Sequence, residues 1–374
     1  MRKRRSNYRA TGKSRLTVLL LLTGPAVAFG QGCVASRGAG LTGVHDGVSS
    51  EDGGFTESHF DLSSDFRWFR SHRHFVGDVE QLQRAAQHTE VINNSNFLDL
   101  GLGYSFTNRF RMQVVVPFAL NSRSQAVTVS GQVVDRFKTN AAGIGDVRVL
   151  GDLWVLPPDA QRRWNILFGL GFSAPTGNDG VEDVFESYDK ASGRILAKRQ
   201  TVDESIQLGT GAWALLTEMY AYRQMGNRWL SYLEGSYAIT PTDTNGVPTN
   251  RSNPYEAITS VADSYLLRGG VDFAVDPAHG LHVSLGGRWE GVPVRDVVGR
   301  SEGFRRPGYT VSIEPGVLAV FGKYTVSIYA PVAVYRTRLR SVPDIEESAA
   351  TGTYQHGDAA FADYSIILGF TKQL

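Results

Sequence analysis

Reactive side chains are sparse in this chain, and their spacing decides what they could do. His72-Arg73-His74 puts two imidazoles on one face of an extended segment, with His59 and His88 in the same region. Zinc sites use three or four ligands, usually with carboxylate or thiolate help, so these histidines read as polar rim residues and no metal site is expected. His282 and Ser284, two residues apart, could pair a base with a nucleophile. Such a pair also needs a third group that orients the base, and the sequence offers none. Gly143-Ile144-Gly145 and Pro175-Thr176-Gly177-Asn178 have the glycine content of phosphate loops, yet neither precedes a helix and no Gly-Lys-Ser/Thr follows. No catalytic residue, cofactor or nucleotide is therefore expected.

Where the charged residues point depends on the elements that carry them. From Phe60 onward the pattern is alternation: Leu98, Leu100, Leu102, Tyr104 and Phe106 take one parity, with Asp99, Gly101, Gly103 and Ser105 between them. Residues two apart share a strand face. Phe110, Met112, Val114, Val116, Phe118 and Leu120 repeat the scheme after only Thr107-Asn108-Arg109, which reads as a tight hairpin. Strands are expected near 58–70, 97–106, 110–120, 145–156, 164–174, 205–222, 229–240, 264–275, 281–291, 309–321, 324–335 and 361–374, twelve in all. Within 205–222 the parity shifts near Ala214, and a strict reading points Glu218 at the apolar side, so a bulge or a strand end is expected there. Pro117, Pro315 and Pro331 each remove a ladder donor and call for local bulges.

The connections fall into two kinds. Those at 107–109, 157–163, 223–228, 276–280 and 322–323 are short, those at 77–96, 121–144, 175–204, 241–263, 292–308 and 336–360 are long and polar, and the two kinds alternate. A sheet whose ends face different compartments is built this way. The expected fold is all-β: a closed antiparallel transmembrane β-barrel of about twelve strands with short periplasmic turns and long extracellular loops. Unpaired peptide groups in hydrocarbon cost several kcal/mol each, so the last strand must pair with the first.

One parity collects Ile166, Phe168, Leu170, Phe172, Tyr265, Leu267, Val271, Phe273, Val283, Leu285 and Trp289, the apolar, lipid-facing side. Near the short turns lie Tyr104, Phe106, Phe110, Trp164, Tyr220, Tyr222, Trp229, Phe321, Tyr324 and Phe370, the composition of an interfacial girdle. The opposite parity supplies the lumen-lining candidates Asp61, Asp65, Arg67, Asp99, Arg111, Asp146, Arg148, Asp152, Glu234, Arg268, Asp272, Arg288, Glu290, Glu314 and Asp363. Their mixed signs fit either a polar pathway with a transverse field or a web of ion pairs filling the bore.

The chain begins with seven basic residues between Arg2 and Arg15, the apolar run Leu16 to Leu22, and Ala26-Val27-Ala28. This order is that of a secretory signal peptide, expected at 1–28, and its apolar run is shorter than the roughly 20 residues of a spanning helix. The 38 Lys and Arg, less those seven, leave 31 against 37 Asp and Glu, so the exported chain is mildly acidic and nucleic acid is not an expected partner. Cys33 is the only cysteine and excludes an internal disulfide; Gly30-Gln31-Gly32 before it lacks the leucine expected upstream of a lipidated cysteine. Residues 29–57, rich in Gly and Ser, are expected to be a flexible periplasmic leader or a partial plug, and 58–374 the barrel.

Two resemblances bear on function. His282 and Ser284 are similar to the His-x-Ser pairing of the twelve-stranded outer-membrane phospholipases, but Leu285-Gly286 stands where that family has Asn-Gly, and Val283 and Leu285 turn the pair inward. GIGDVRVLGDLWVL at 143–156, FGLGFSAPTGNDG at 168–180 and LDLGLGYSFTNRFRMQVVVPF at 98–118 resemble the outer-membrane barrels grouped as the phenol meta-pathway degradation family, across about the first half of the exported chain. That resemblance implies a passive channel or transporter of small, hydrophobic or aromatic molecules, with Gly143, Gly145 and Asp146 matching a Gly-x-Gly-Asp pattern. By analogy of architecture, the expected setting is the bacterial outer membrane, with its lipid and lipopolysaccharide, the barrel-assembly machinery and an unknown solute as partners. The alternatives are a closed structural or adhesion barrel that binds through its long loops and, last, a membrane-embedded lipid hydrolase. The chain ends in Leu374 rather than an aromatic residue, while Tyr364, Ile366, Leu368 and Phe370 keep the outward parity.

Overall fold

Alternation of large apolar with small or polar side chains suits a strand that has oil on one side and polar groups on the other, and here it recurs twelve times. The computed structural model describes residues 58–158 and 162–374; the signal peptide, the leader and Cys33 lie outside the described residues. The wall strands are β1 (His59–Val76), β2 (Ile92–Ser105), β3 (Phe110–Val129), β4 (Arg148–Trp154), β5 (Trp164–Ser173) and β6 (Ala214–Met225). They continue as β7 (Trp229–Ile239), β8 (Ser264–Asp276), β9 (Leu281–Val292), β10 (Gly308–Phe321), β11 (Tyr324–Tyr329, resuming at Val332–Arg338) and β12 (Ala359–Gln373).

Each strand pairs antiparallel with its neighbours in sequence, and β12 returns to β1 from Asp61↔Gln373 up to Phe75↔Ala359. The barrel is closed. No helix among the described residues is long and apolar enough to cross a membrane; the crossing is made by strands. Its surface is inverted relative to a water-soluble protein: outward Leu170 is 61% exposed and Leu285 56%, whereas inward Glu314 is 0%. This exposed apolar belt requires a hydrocarbon surround.

Aromatic rings border the belt at both ends. Phe60, Tyr104, Phe106 and Phe110 form a chain with centroids 4.6, 4.7 and 5.6 Å apart beside the short turns, and Phe321, Tyr324 and Phe370 form another. Toward the long loops Tyr237, Tyr265, Trp289, Tyr309 and Tyr335 make a second girdle that the sequence reading missed. Tyr220 and Tyr222 are corrections: both are buried within the barrel, because β6 starts only at Ala214 and places even-numbered residues inward.

The same late start resolves the parity conflict. Residues 205–213 are not strand; a short 3-10 turn at Glu204–Ile206 opens a segment folded into the barrel mouth, and Glu218 points inward with Leu216 and Tyr220. Several long connections also carry structure: β3 extends as a hairpin with Gln132–Ile144, residues 182–201 form a second hairpin, and a helix spans Val342–Thr351. The prolines fall at interruptions. Pro117 sits where β3 changes partner from β4 to the Gln132–Ile144 strand, and Pro315 faces the break in β11 at Ala330-Pro331, where Ala330 N–H donates to its carbonyl at 2.9 Å.

The lipid-facing assignment of Leu285 is directly testable. Leu285→Arg is expected to destabilise the barrel by about 2–4 kcal/mol, the cost of a charge near the bilayer midplane, measured as a lower urea midpoint for unfolding from lipid vesicles. An unchanged midpoint would place Leu285 off the hydrocarbon.

Candidate functional site

Inward positions of the twelve strands converge on a bore with three layers. Nearest the short turns, Leu167, Tyr220, Tyr222 and Tyr232 pack with Trp154 and Leu230 into an apolar floor. Trp154 meets Tyr222 edge-on at 5.9 Å and Tyr220 at 6.3 Å, a favoured ring geometry.

The middle layer is ionic. Arg67 of β1 donates to Glu290 of β9 at 2.7 Å, a bond between strands that are not neighbours in the wall and that therefore spans the bore. Arg288 joins Glu290 (3.0 Å) to Glu314 (3.4 Å), and Arg268 joins Glu314 (2.6 Å) to Glu234 (3.5 Å). A second group links Arg111 to Asp61 and, at 3.2 Å, to Asp152, with Gln113 beside it, while Arg148 pairs with Asp99. Charges this deep lose their hydration, and only such mutual pairing offsets the loss.

The third layer is a roof made by residues 202–212. Val202, Ile206 and Leu208 bury against Ala119 and Ala141. Arg306 donates to both oxygens of Asp203 (2.9 and 2.8 Å) and to Glu204 (3.1 Å); Arg123 reaches Asp203 (3.3 Å), and Asn121 donates to the Ile206 carbonyl at 2.8 Å. Asp146 lines the bore and also anchors the roof, accepting from the backbone of Gly177 (3.0 Å) and from Thr210 N–H and Oγ (both 2.8 Å). Gly211, with φ +76°, lets the chain turn from roof into β6.

Between roof and ionic layer lies a cavity of about 260 Å³, walled by Phe97, Leu208, Leu216, Val261 and Leu266 and by Arg148, Glu234 and Arg268. Asp65 borders it as well. Asp272 is buried, and Asp363 is half-exposed, accepting from Arg73 (2.7 Å) and Arg336 (2.9 Å). His282 and Ser284 share the inner parity of β9. The sequence reading missed Glu218, Asp203, Glu204 and Arg306; once Ala214 is fixed as a strand start, parity alone assigns Glu218 inward.

Comparison with solved structures adds to this picture. An outer membrane channel from Pseudomonas putida F1 is similar with a TM-score of 0.51 and 14% identity, covering 86% of this chain and 98% of that one. The fold is that of a bacterial outer-membrane barrel. The Pseudomonas putida toluene transporter TodX is similar at a TM-score of 0.44 and 8% identity, over 92% of this chain and 96% of that one. No protein-family model and no curated protein matches the chain.

The roof carries a titratable pair outside the spanning strands. Burial pushes the Glu204 carboxyl up from 4.5 to about 7 against the pull of Arg306. Burial would raise Asp203 too, but Arg123, Arg306 and Arg251 hold it well below the usual carboxylate range. Between pH 4.5 and about 7 an opened roof ionises Glu204 while the closed one keeps it neutral, so closure weakens as pH rises through that window. Asp203 acts oppositely, and its contribution is lost as pH falls below 3.8. Amide protection of residues 202–212 in hydrogen exchange should therefore peak near about pH 4 and decline toward about pH 7. Glu204→Gln should abolish the decline; a decline that survives the substitution would show that another group controls the roof.

Proposed function

We propose that this protein is a passive outer-membrane conduit for small, hydrophobic or aromatic molecules, with the charged inner wall lining the path. The cavity beneath the roof carries this reading. Ligand pockets for drug-sized molecules run about 300–1,000 Å³, so about 260 Å³ suits a solute of roughly one ring. Its walls combine aliphatic and aromatic side chains with charged ones, a surface on which a molecule of mixed character can rest and leave. The likeness to an outer membrane channel supports the architecture this requires, and the segments at 98–118, 143–156 and 168–180 support membership of the phenol meta-pathway degradation family. In this reading residues 1–28 direct export and are removed, residues 29–57 precede the barrel on the periplasmic side, and insertion uses the barrel-assembly machinery into a lipid and lipopolysaccharide membrane.

A second reading, a closed scaffold that binds through its loops, is favoured by one observation: the Arg67–Glu290 bond and the ladder beyond it cross the bore. Transport separates the two. The purified full-length protein in planar bilayers is expected to pass potassium chloride current, and in liposomes to speed uptake of a single-ring solute such as benzyl alcohol. Arg306→Ala, which releases Asp203 and Glu204, should raise both. Neither current nor uptake from either protein would sink the conduit and leave the scaffold.

A further inference from the structure

We propose that an outward groove over Gly235 binds one molecule of the acylated, phosphorylated lipid of the outer leaflet, lipopolysaccharide, with an acyl chain in the groove and a phosphate on Arg295. The groove lies on the lipid face of β5 to β9. One register row crosses the middle of that wall with outward parity: Phe168, Met219, Gly235, Leu267 and Trp289. Gly235 leaves the row short of a side chain, and Tyr237 and Tyr265 stand in the next row toward the long loops. The result is an open groove of about 650 Å³, with Phe168 and Met219 to one side of the glycine, Trp289 to the other and Pro293 at its loop end.

An apolar groove in hydrocarbon does not select an occupant, because a lipid tail is as apolar as the wall and gains little there over bulk lipid. A bound lipid therefore needs a polar anchor at the level of the head groups, and the loop that leaves β9 provides it. Two residues beyond Pro293 lies Arg295, exposed and paired with no carboxylate among the described residues. The acids around it are committed. Asp243 takes the backbone N–H groups of Arg300 and Ser301 (2.6 and 2.7 Å), Asp263 those of Thr240 and Val297 (2.7 and 2.9 Å), and Asp296 both terminal nitrogens of Arg305 (2.7 and 2.5 Å). The loop thus spends its negative charge internally and leaves a guanidinium outside, the group best matched to phosphate.

The groove and the anchor are parts of one structure. Tyr265 meets Trp289 edge-on at 5.1 Å and stacks on Tyr237 at 6.4 Å, so the three rings form a continuous wall. The Tyr237 hydroxyl donates to Asp263 at 3.1 Å, the carboxylate that also orders Val297 in the anchoring loop. Four residues of extended chain span about 13 Å, so from Trp289 to Pro293 the groove runs from the middle of the wall to the foot of the loop that carries Arg295. A single lipid can reach both. This inference rests on the membrane address of the barrel and is independent of conduction.

Native mass spectrometry of the full chain in detergent, titrated with diphosphoryl lipid A, tests the site. Wild type is expected to keep one lipid per chain. Removing the phosphates from the lipid, or making Arg295→Gln in the protein, should each weaken retention about tenfold, the loss of one charge-assisted hydrogen bond. Gly235→Leu fills the groove and keeps the arginine; a Cβ there meets only ordinary contacts, Leu267 Cδ1 at 3.5 Å being the nearest, and this variant should also release the lipid. Heat-dependent gel migration checks that each variant is folded. Equal retention of the phosphorylated and dephosphorylated lipids, or by wild type and either folded variant, would overturn the proposal and reduce the groove to ordinary lipid contact. Inorganic phosphate binding as tightly as lipid A would overturn it in favour of a bare anion site, and a wild-type dimer that Gly235→Leu dissociates would assign the groove to a second copy. Retention of lipid A by a chain that passes no current would keep the site and overturn only the conduit; a conducting chain that retains none would do the reverse.

Discussion

Everything in this molecule follows from the hydrogen-bonding demand of the peptide backbone where no water can reach it. A strand edge in hydrocarbon leaves donors and acceptors unpaired at several kcal/mol apiece, and the pairing of β12 with β1 from Asp61↔Gln373 to Phe75↔Ala359 removes that edge. Closure then dictates the side chains. Period-two geometry sends half of them into oil and the other half into a narrow bore, so the bore inherits whatever polar residues the strands carry.

A bore filled with charges can be stable only if they are paired. The ladder Arg67–Glu290–Arg288–Glu314–Arg268–Glu234 alternates sign at every step, so each internal member has opposite charge on both sides. Removing one member of a buried pair typically costs about 3–5 kcal/mol, although the intact pair adds little over an apolar replacement. The ladder is therefore better understood as fixing the relative position of strands from β1 to β10 across the bore than as a source of net stability. It also leaves the other side of the bore, at β4 to β6, with more acid than base.

Much of this was legible from the sequence because alternation in a barrel has only one interpretation once the short and long connections alternate too. Leu98 to Phe118 or Val283 to Trp289 could be assigned face by face without coordinates. The failures share one cause. Ser205 to Trp213 contains enough apolar residues to imitate a strand, but Ile206 and Leu208 are buried by a loop folding inward against Ala119 and Ala141, a long-range contact with no local signature. Reading that stretch as wall shifted the apparent parity of Glu218, Tyr220 and Tyr222. The hairpin extension of β3 was missed for a related reason: above the membrane both faces of a strand meet water or other loops, and alternation no longer separates oil from polar surroundings.

The roof and the wall are tied through the interruption at Pro117. Proline offers no donor, so β3 cannot continue an unbroken ladder there, and the descending chain breaks between Ile144 and Arg148. Gly145 N–H donates to the Pro117 carbonyl at 2.7 Å and Val147 N–H to Thr176 Oγ at 2.8 Å, which compensates the lost ladder and sets the Asp146 carboxylate at the barrel mouth. That carboxylate accepts from Gly177 and Thr210, tying the Thr210 end of the roof and the Gly177 segment beside it to the barrel mouth. A residue the strand could not use as a donor thus creates the anchor that closes the cavity from above, and the Gly-Ile-Gly-Asp run beside it is the sequence trace of that exchange.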